Sequence, residues 1–214
     1  GKEDGGFDSY EEIKYIISKM ENFCKDMDFP LPYFLVVRTG NHVMETKNVG
    51  SFESIFVGKN QDASKENLLK IISFCNQHGI MIKEHNADYL SDRALKLHPE
   101  IGIHAVNVAP EFAVVETKAF LSLLKKNQLE KELEKFVEIS YSSNKWQKWM
   151  LKDSKLGKQE RAIISGHYIF GKKEFIDLKN DVERKISLEN TLDSYLKNEV
   201  KKSITRYLNL FSVI

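Results

Sequence analysis

The residues of this chain best suited to chemistry lie in polar clusters that end short apolar runs. The run 33–37 (YFLVV) leads into Arg38, Thr39, Gly40, Asn41 and His42. The run 80–82 (IMI) leads into Glu84, His85, Asn86 and Asp88, and the run 101–108 carries Asn107 near its end, with Glu111 just beyond. Imidazoles, carboxylates and amides gathered at strand ends are the groups that ligate metals, move protons and hold polar substrates. Parallel strands whose C-terminal ends carry the functional side chains are the pattern of a (β/α) barrel.

The intervening segments are those such a pattern needs. Ser9 and Glu12 have capping-box spacing and open a helix to about Asp28, with Ile13, Ile16, Ile17, Met20, Phe23 and Met27 at three- and four-residue intervals. The unalternated run 33–37 reads as a strand buried on both faces, followed by a Gly-containing loop to about Asn60. Asp62 or Ser64 starts a second helix that Gly79 ends. Residues 80–84 form the next strand and 91–97 a short helix broken at His98-Pro99. Residues 101–108 form a third strand, and Pro110 occupies the first position of a helix to about Lys126. Beyond Gln128 only helices are expected, at 129–139, 144–151, 158–170, 172–182 and 188–210. The domain reading is therefore 1–126 as the C-terminal part of a (β/α)8 TIM barrel and 127–214 as an all-helical extension. Three strands do not close a barrel, so the remaining strands are expected upstream of Gly1, and this portion alone would expose a sheet edge.

With 42% hydrophobic residues the chain has enough for a core, and its formal net charge of +1 gives no global field toward nucleic acid or membrane. The helical tail is lysine-rich, but its acids are interspersed and no aromatic platform recurs, so a solvated face is expected rather than a nucleic-acid surface. Cys24 and Cys75 sit beside Phe23 and Phe74 in helical segments and read as buried free thiols. No apolar run reaches membrane-spanning length, and a cytoplasmic protein is expected. His78, before Gly79, reads as a helix-terminus complement, and His104 as a hydrogen-bonded structural histidine; His98 and His167 carry no readable role.

Three motifs carry a resemblance. Residues 107–112, NVAPEF, look like the Asn-Val-Ala-Thr-Glu-Leu that ends the last barrel strand of class II (metal-dependent) tagatose-bisphosphate aldolases. His85-Asn86-Ala87-Asp88 is similar to their His-Gly-Ala-Ser, and Thr39-Gly40-Asn41-His42 to their Gly-Thr-x-His. The sequence from Glu84 to Tyr89 also resembles the Glu-Ala-His-x-x-Asp-Tyr of the family's non-catalytic companion subunits. Those companions carry a helical extension with Trp/Tyr-rich segments, as at Trp146, Trp149, His167 and Tyr168 here.

The resemblance implies a metal-dependent lyase that makes or breaks a carbon–carbon bond in a sugar or sugar phosphate. It implies His42 and His85 as ligands of a divalent metal, zinc being the expected ion. The expected catalytic group is Asn107 with Glu84 and Asp88, the two carboxylates either orienting His85 or lining the rim. Arg38, Gly40, Asn86 and Asn107 are expected at the substrate, and the third ligand and the acid/base upstream. Glu3-Asp4-Gly5-Gly6 resembles an acidic, Gly-rich strand-end loop of the aldolases. Two departures stand out: Asp88 replaces the serine that touches substrate phosphate, and Pro110 replaces a threonine, removing a hydroxyl and a backbone donor. They suit a changed substrate, or a silent companion that stabilises an aldolase partner. An oligomer or such a partner subunit is expected.

Overall fold

The computed structural model describes residues 6–58 and 62–211, so the acidic Gly-rich stretch at residues 3–5 lies outside the described residues. The chain divides into two compact units, one built mainly from residues up to Val108 and the other from Ala109–Asn209. The fifth helix thus groups with the helices after it.

The first unit is a parallel sheet flanked by helices. Helix α1 (Tyr10–Met27) starts at Ser9 with the expected capping box and buries Ile13 and Ile17. Strand β1 (Phe34–Val37) follows. The segment expected as a plain loop contains the two-residue strands β2 (Val43–Met44) and β3 (Lys47–Asn48) and the short helix α2 (Phe52–Phe56). Helix α3 (Ala63–Gln77) is capped by the Asp62 side chain, which accepts from Ser64 N. Strand β4 (Met81–Glu84), helix α4 (Asp92–Ile101) and strand β5 (Ile103–Val106) complete the unit.

The sheet order is β1-β4-β5 and both pairings are parallel. The expected strand–helix repeats are therefore present, in a sheet that is mixed with helix and open; no barrel closes among the described residues. Between Ile82 and Lys83 the register slips. His104 is the extra residue there, and its ring Nδ1 accepts the Ile82 N–H at 3.2 Å.

The expectations for β1 and for the end of α4 need correction. β1 is not buried on both faces: Phe34 and Val36, on one face, are exposed, while Val37, on the other, is fully buried. Helix α4 does not stop at His98-Pro99 but runs through Pro99 to Ile101. Proline removes one amide near the helix end, and burial of His98 against Glu84 with a left-handed cap at Gly102 holds the last turn in place. His78 stands at the C-cap of α3, as expected, and its Nδ1 also lies 2.5 Å from Glu21 of α1, linking the two helices.

Both cysteines are free thiols, but Cys24 is only half-buried. Burial pushes the Cys75 thiol up to about 11. At about pH 8 its thiolate fraction is then on the order of 0.001, since only the thiolate reacts. Native protein treated with a maleimide is expected to label once, at Cys24, and a second time only after denaturation. Rapid native labelling at Cys75 would contradict the packing of α3.

The second unit is helical: α5 (Pro110–Lys126), α6 (Glu130–Ser142), α7 (Lys158–Ser165), α8 (Lys173–Lys185) and α9 (Leu192–Leu210). Residues 144–151 form only a three-residue 3-10 turn at Gln147–Trp149. Phe120, Phe136 and Phe175 meet at ring separations of 5.4–5.9 Å and centre the core. Gly166 permits close approach to α5, since a Cβ there would lie 2.4 Å from Thr117 Oγ1. The aromatic segments expected from the companion subunits are packing elements: Trp146 stacks on Tyr141 at 5.2 Å with Arg161 over it, and Trp149 donates to Tyr168 Oη.

Candidate functional site

Adjacent parallel strands place their C-terminal ends side by side, which brings residues 38–42, 84–88 and 107 into one region. Backbone bonds knit the ends: Asn107 N donates to Glu84 O at 2.9 Å, and Ala87 N donates to Asn107 O at 3.1 Å. The Asn107 amide nitrogen lies 3.5 Å from His85 Nδ1. His85 is exposed and His42 half-buried, as groups that meet a ligand should be.

One residue outside the motifs organises the loops. Asn48 Nδ2 donates to Asn86 O at 2.8 Å and to Asp88 O at 3.0 Å, while its Oδ1 accepts from His42 N at 3.3 Å and Gly50 N at 3.1 Å. A single amide therefore ties the histidine loop after β1 to the histidine loop after β4. Asn86 and Tyr89 hold φ of 64° and 61°, conformations that cost energy for residues with a side chain. Gly50 has no room for more: a Cβ there would lie 2.0 Å from Gly40 O. Gly40, at φ 87°, lies under the Phe7 ring.

Beneath the loops runs a buried polar chain. Glu84 and His98 are both fully buried, with His98 Nε2 2.9 Å from Glu84 Oε2. His98 Nδ1 is 2.6 Å from Ala94 O, so it carries a proton and donates. Asn41 Nδ2 donates to the other Glu84 oxygen. The buried Glu84 side chain thus bonds to Asn41 through one oxygen and lies against His98 with the other, an arrangement that ties the β1 loop to the end of β4 and to α4. Glu84 therefore has no exposed atom to offer a substrate; it positions its neighbours. Above it, Thr39 Oγ1 and Asn41 Oδ1 are buried without a hydrogen-bond partner among the described residues, leaving unused acceptors at the strand end.

The other expected residues are placed as follows. Arg38 is held by Asp8, with Nε 2.5 Å from Oδ1 and its backbone N–H donating to Oδ2 at 2.7 Å. Asp88 is 1% exposed, so its carboxylate is part of the loop's interior rather than its surface. Asn86 faces the loop junction through its backbone. Asn41, Asn48 and His98 carry most of the geometry; Asn41 stands in the Thr39–His42 motif without an assigned role, and Asn48 and His98 lie outside the motifs. No group of three His, Cys, Asp or Glu suited to a metal occurs among the described residues.

No family model matches the chain, and no curated protein matches it. Its structure is similar to the crystal structure of a probable tagatose 6 phosphate kinase from Sinorhizobium meliloti 1021. The TM-score is 0.62 at 14% identity, covering 92% of this chain and 53% of that one. The likeness is one of fold. It does not show the aldolase family, and the chain spans about half the length of the protein it matches. No helix among the described residues is long and apolar enough to cross a membrane.

Proposed function

We propose that the strand ends form part of a metal-dependent, class II aldolase-like site that cleaves or forms a carbon–carbon bond in a sugar or sugar phosphate. The observation that carries this reading is the convergence of His42, His85 and Asn107 on three adjacent parallel strand ends, with the two histidine loops joined by Asn48. The name of the fold neighbour, a probable tagatose 6 phosphate kinase, points to the same class of small phosphorylated ketose.

The donors present suit a zinc-type ion in part. His42 and His85 offer two imidazoles, and a catalytic zinc takes about three protein ligands, so the third comes from outside the described residues. Bound there, a divalent ion supplies charge stabilisation for the enolate that aldol cleavage leaves. The Asn107 amide donates to the substrate oxygen beside His85. Glu84, through Asn41 and His98, fixes the loop that carries His42. Asp88 fixes the loop that carries His85.

A second reading has its own observation. Pro110 has no N–H and Asp88 is enclosed, so neither can make the phosphate contacts of the serine and threonine that stand there in aldolases. That suits a silent companion of an aldolase. Supplying the protein from its source organism with zinc and a panel of ketose phosphates separates the two. The lyase reading expects cleavage into two shorter carbonyl fragments and its loss in His85→Ala. No cleavage of any ketose phosphate by zinc-loaded protein would favour the companion.

A further inference from the structure

The strand pairings align Val36, Lys83 and Ala105 across the sheet, and Val37, Glu84 and Val106 one residue further along. Successive strand residues point to opposite faces, so these two rows belong to different faces of the sheet. The Glu84 row is the covered one, with Val37 and Glu84 fully buried. The Lys83 row is the open one: Val36 is 44% exposed and Lys83 is half-buried.

Lys83 is out of keeping with its place. It stands in the central strand of a parallel sheet, where apolar residues are usual on both faces. Among the described residues it has no ion-pair partner. The acids around the strand ends are engaged away from it: Glu84 bonds Asn41 and lies against His98 on the covered face, Asp88 is enclosed, and Asp8 holds Arg38. The other polar groups beside Lys83 are donors. His104 stands in the bulge next to it and is exposed; its Nδ1 accepts from Ile82, which leaves the proton on Nε2. Asn107 continues the alternation past Ala105 and brings its amide nitrogen to 3.5 Å from His85 Nδ1. That amide has two N–H groups, one for an oxygen beside His85 and one for a second ligand atom.

We infer that Lys83, His104 and Asn107 form an oxyanion site on the open face of the sheet, and that its ligand is a phosphate monoester. Such an ester carries about 1.5 to 2 negative charges near neutral pH and three strong acceptor oxygens. One ammonium and two neutral donors, with no carboxylate among them, complement that group. Lys83 and His85 are two residues apart, about 7 Å along an extended chain, so a small sugar phosphate spans both. The site would seat the phosphate that Asp88 and Pro110 do not contact. That the ester is the lyase's own substrate rests on the lyase reading; anion binding itself needs no metal.

The test uses protein purified from its source organism and held metal-free with a chelator. Inorganic phosphate is titrated calorimetrically into wild type, Lys83→Met, Lys83→Arg and, as a control at an exposed lysine of α3, Lys70→Met. Lys83→Met is expected to weaken phosphate binding roughly tenfold or more, the usual worth of a hydrogen bond to a charged group. Lys83→Arg is expected to keep most of the affinity, since charge and donors remain, and Lys70→Met all of it. Acetate is expected to bind wild type more weakly than phosphate does. Saturating phosphate is also expected to slow reductive methylation of the Lys83 amine several-fold and leave Lys70 unchanged, a readout that needs no variant to fold. Unaltered affinity in Lys83→Met, no protection of Lys83, or acetate binding as tightly as phosphate would each overturn the site. Every measurement is made without metal, so failure here and failure of the lyase reading are distinguishable.

Discussion

Glu84→Ala is expected to destabilise the first unit by about 1–3 kcal/mol, the usual cost of leaving buried polar groups without their partner. The carboxylate accepts from Asn41 and faces His98 at 2.9 Å with neither side chain of the pair exposed. Its loss strands the imidazole and one amide in a site water does not reach. His98→Ala should cost a similar amount for the mirror-image reason. Glu84→Gln is expected to be milder, about 1 kcal/mol, because a glutamine oxygen still accepts from Asn41 and its amide can donate to a neutral His98. Urea denaturation of the three variants checks this order. If Glu84→Ala cost no more than Glu84→Gln, the buried pair would not be the support claimed for the strand ends.

Asn48→Ala is expected to weaken divalent-metal binding by about 10–100-fold, the range found when groups that orient ligands are removed. The substitution touches neither proposed ligand side chain. It frees four backbone groups at once: the N–H of His42 and Gly50, and the carbonyls of Asn86 and Asp88. Asn48→Asp keeps the two bonds made by Oδ1 but cannot donate to the carbonyls, so it should fall near alanine and not near wild type. A stability loss without any change in metal affinity would make Asn48 merely a loop strut. Isothermal titration with zinc, alongside a melting curve, distinguishes the two.

Local sequence signals found the frame of this fold. The capping box at Ser9, the Asp62 cap and Pro110 at a helix start each act within one turn, and each element begins where its signal stands. The strand ends were legible for the same reason, as apolar runs that stop at polar clusters. What escaped was set by distant partners. Pro99 reads as a breaker, but the helix continues because His98 is anchored on Glu84, fourteen positions earlier in the chain. Asn48 sits in a stretch with no periodicity, and its partners lie up to 40 residues away. β1 has the composition of a doubly buried strand, yet its environment depends on what covers it, which four residues cannot encode. The histidine motifs identified where chemistry could occur; the residues that hold those loops still were invisible without the structure.

Metal binding at the strand ends is what the proposed lyase requires first. The decisive measurement is elemental analysis of protein purified from its source organism, as wild type, His42→Ala and His85→Ala, after zinc is supplied and excess removed. About one ion per protein in the wild type, lost in both variants while the circular dichroism is retained, is the predicted result. Wild-type protein that is folded and holds no ion, or variants that keep the wild-type metal content, would contradict the site.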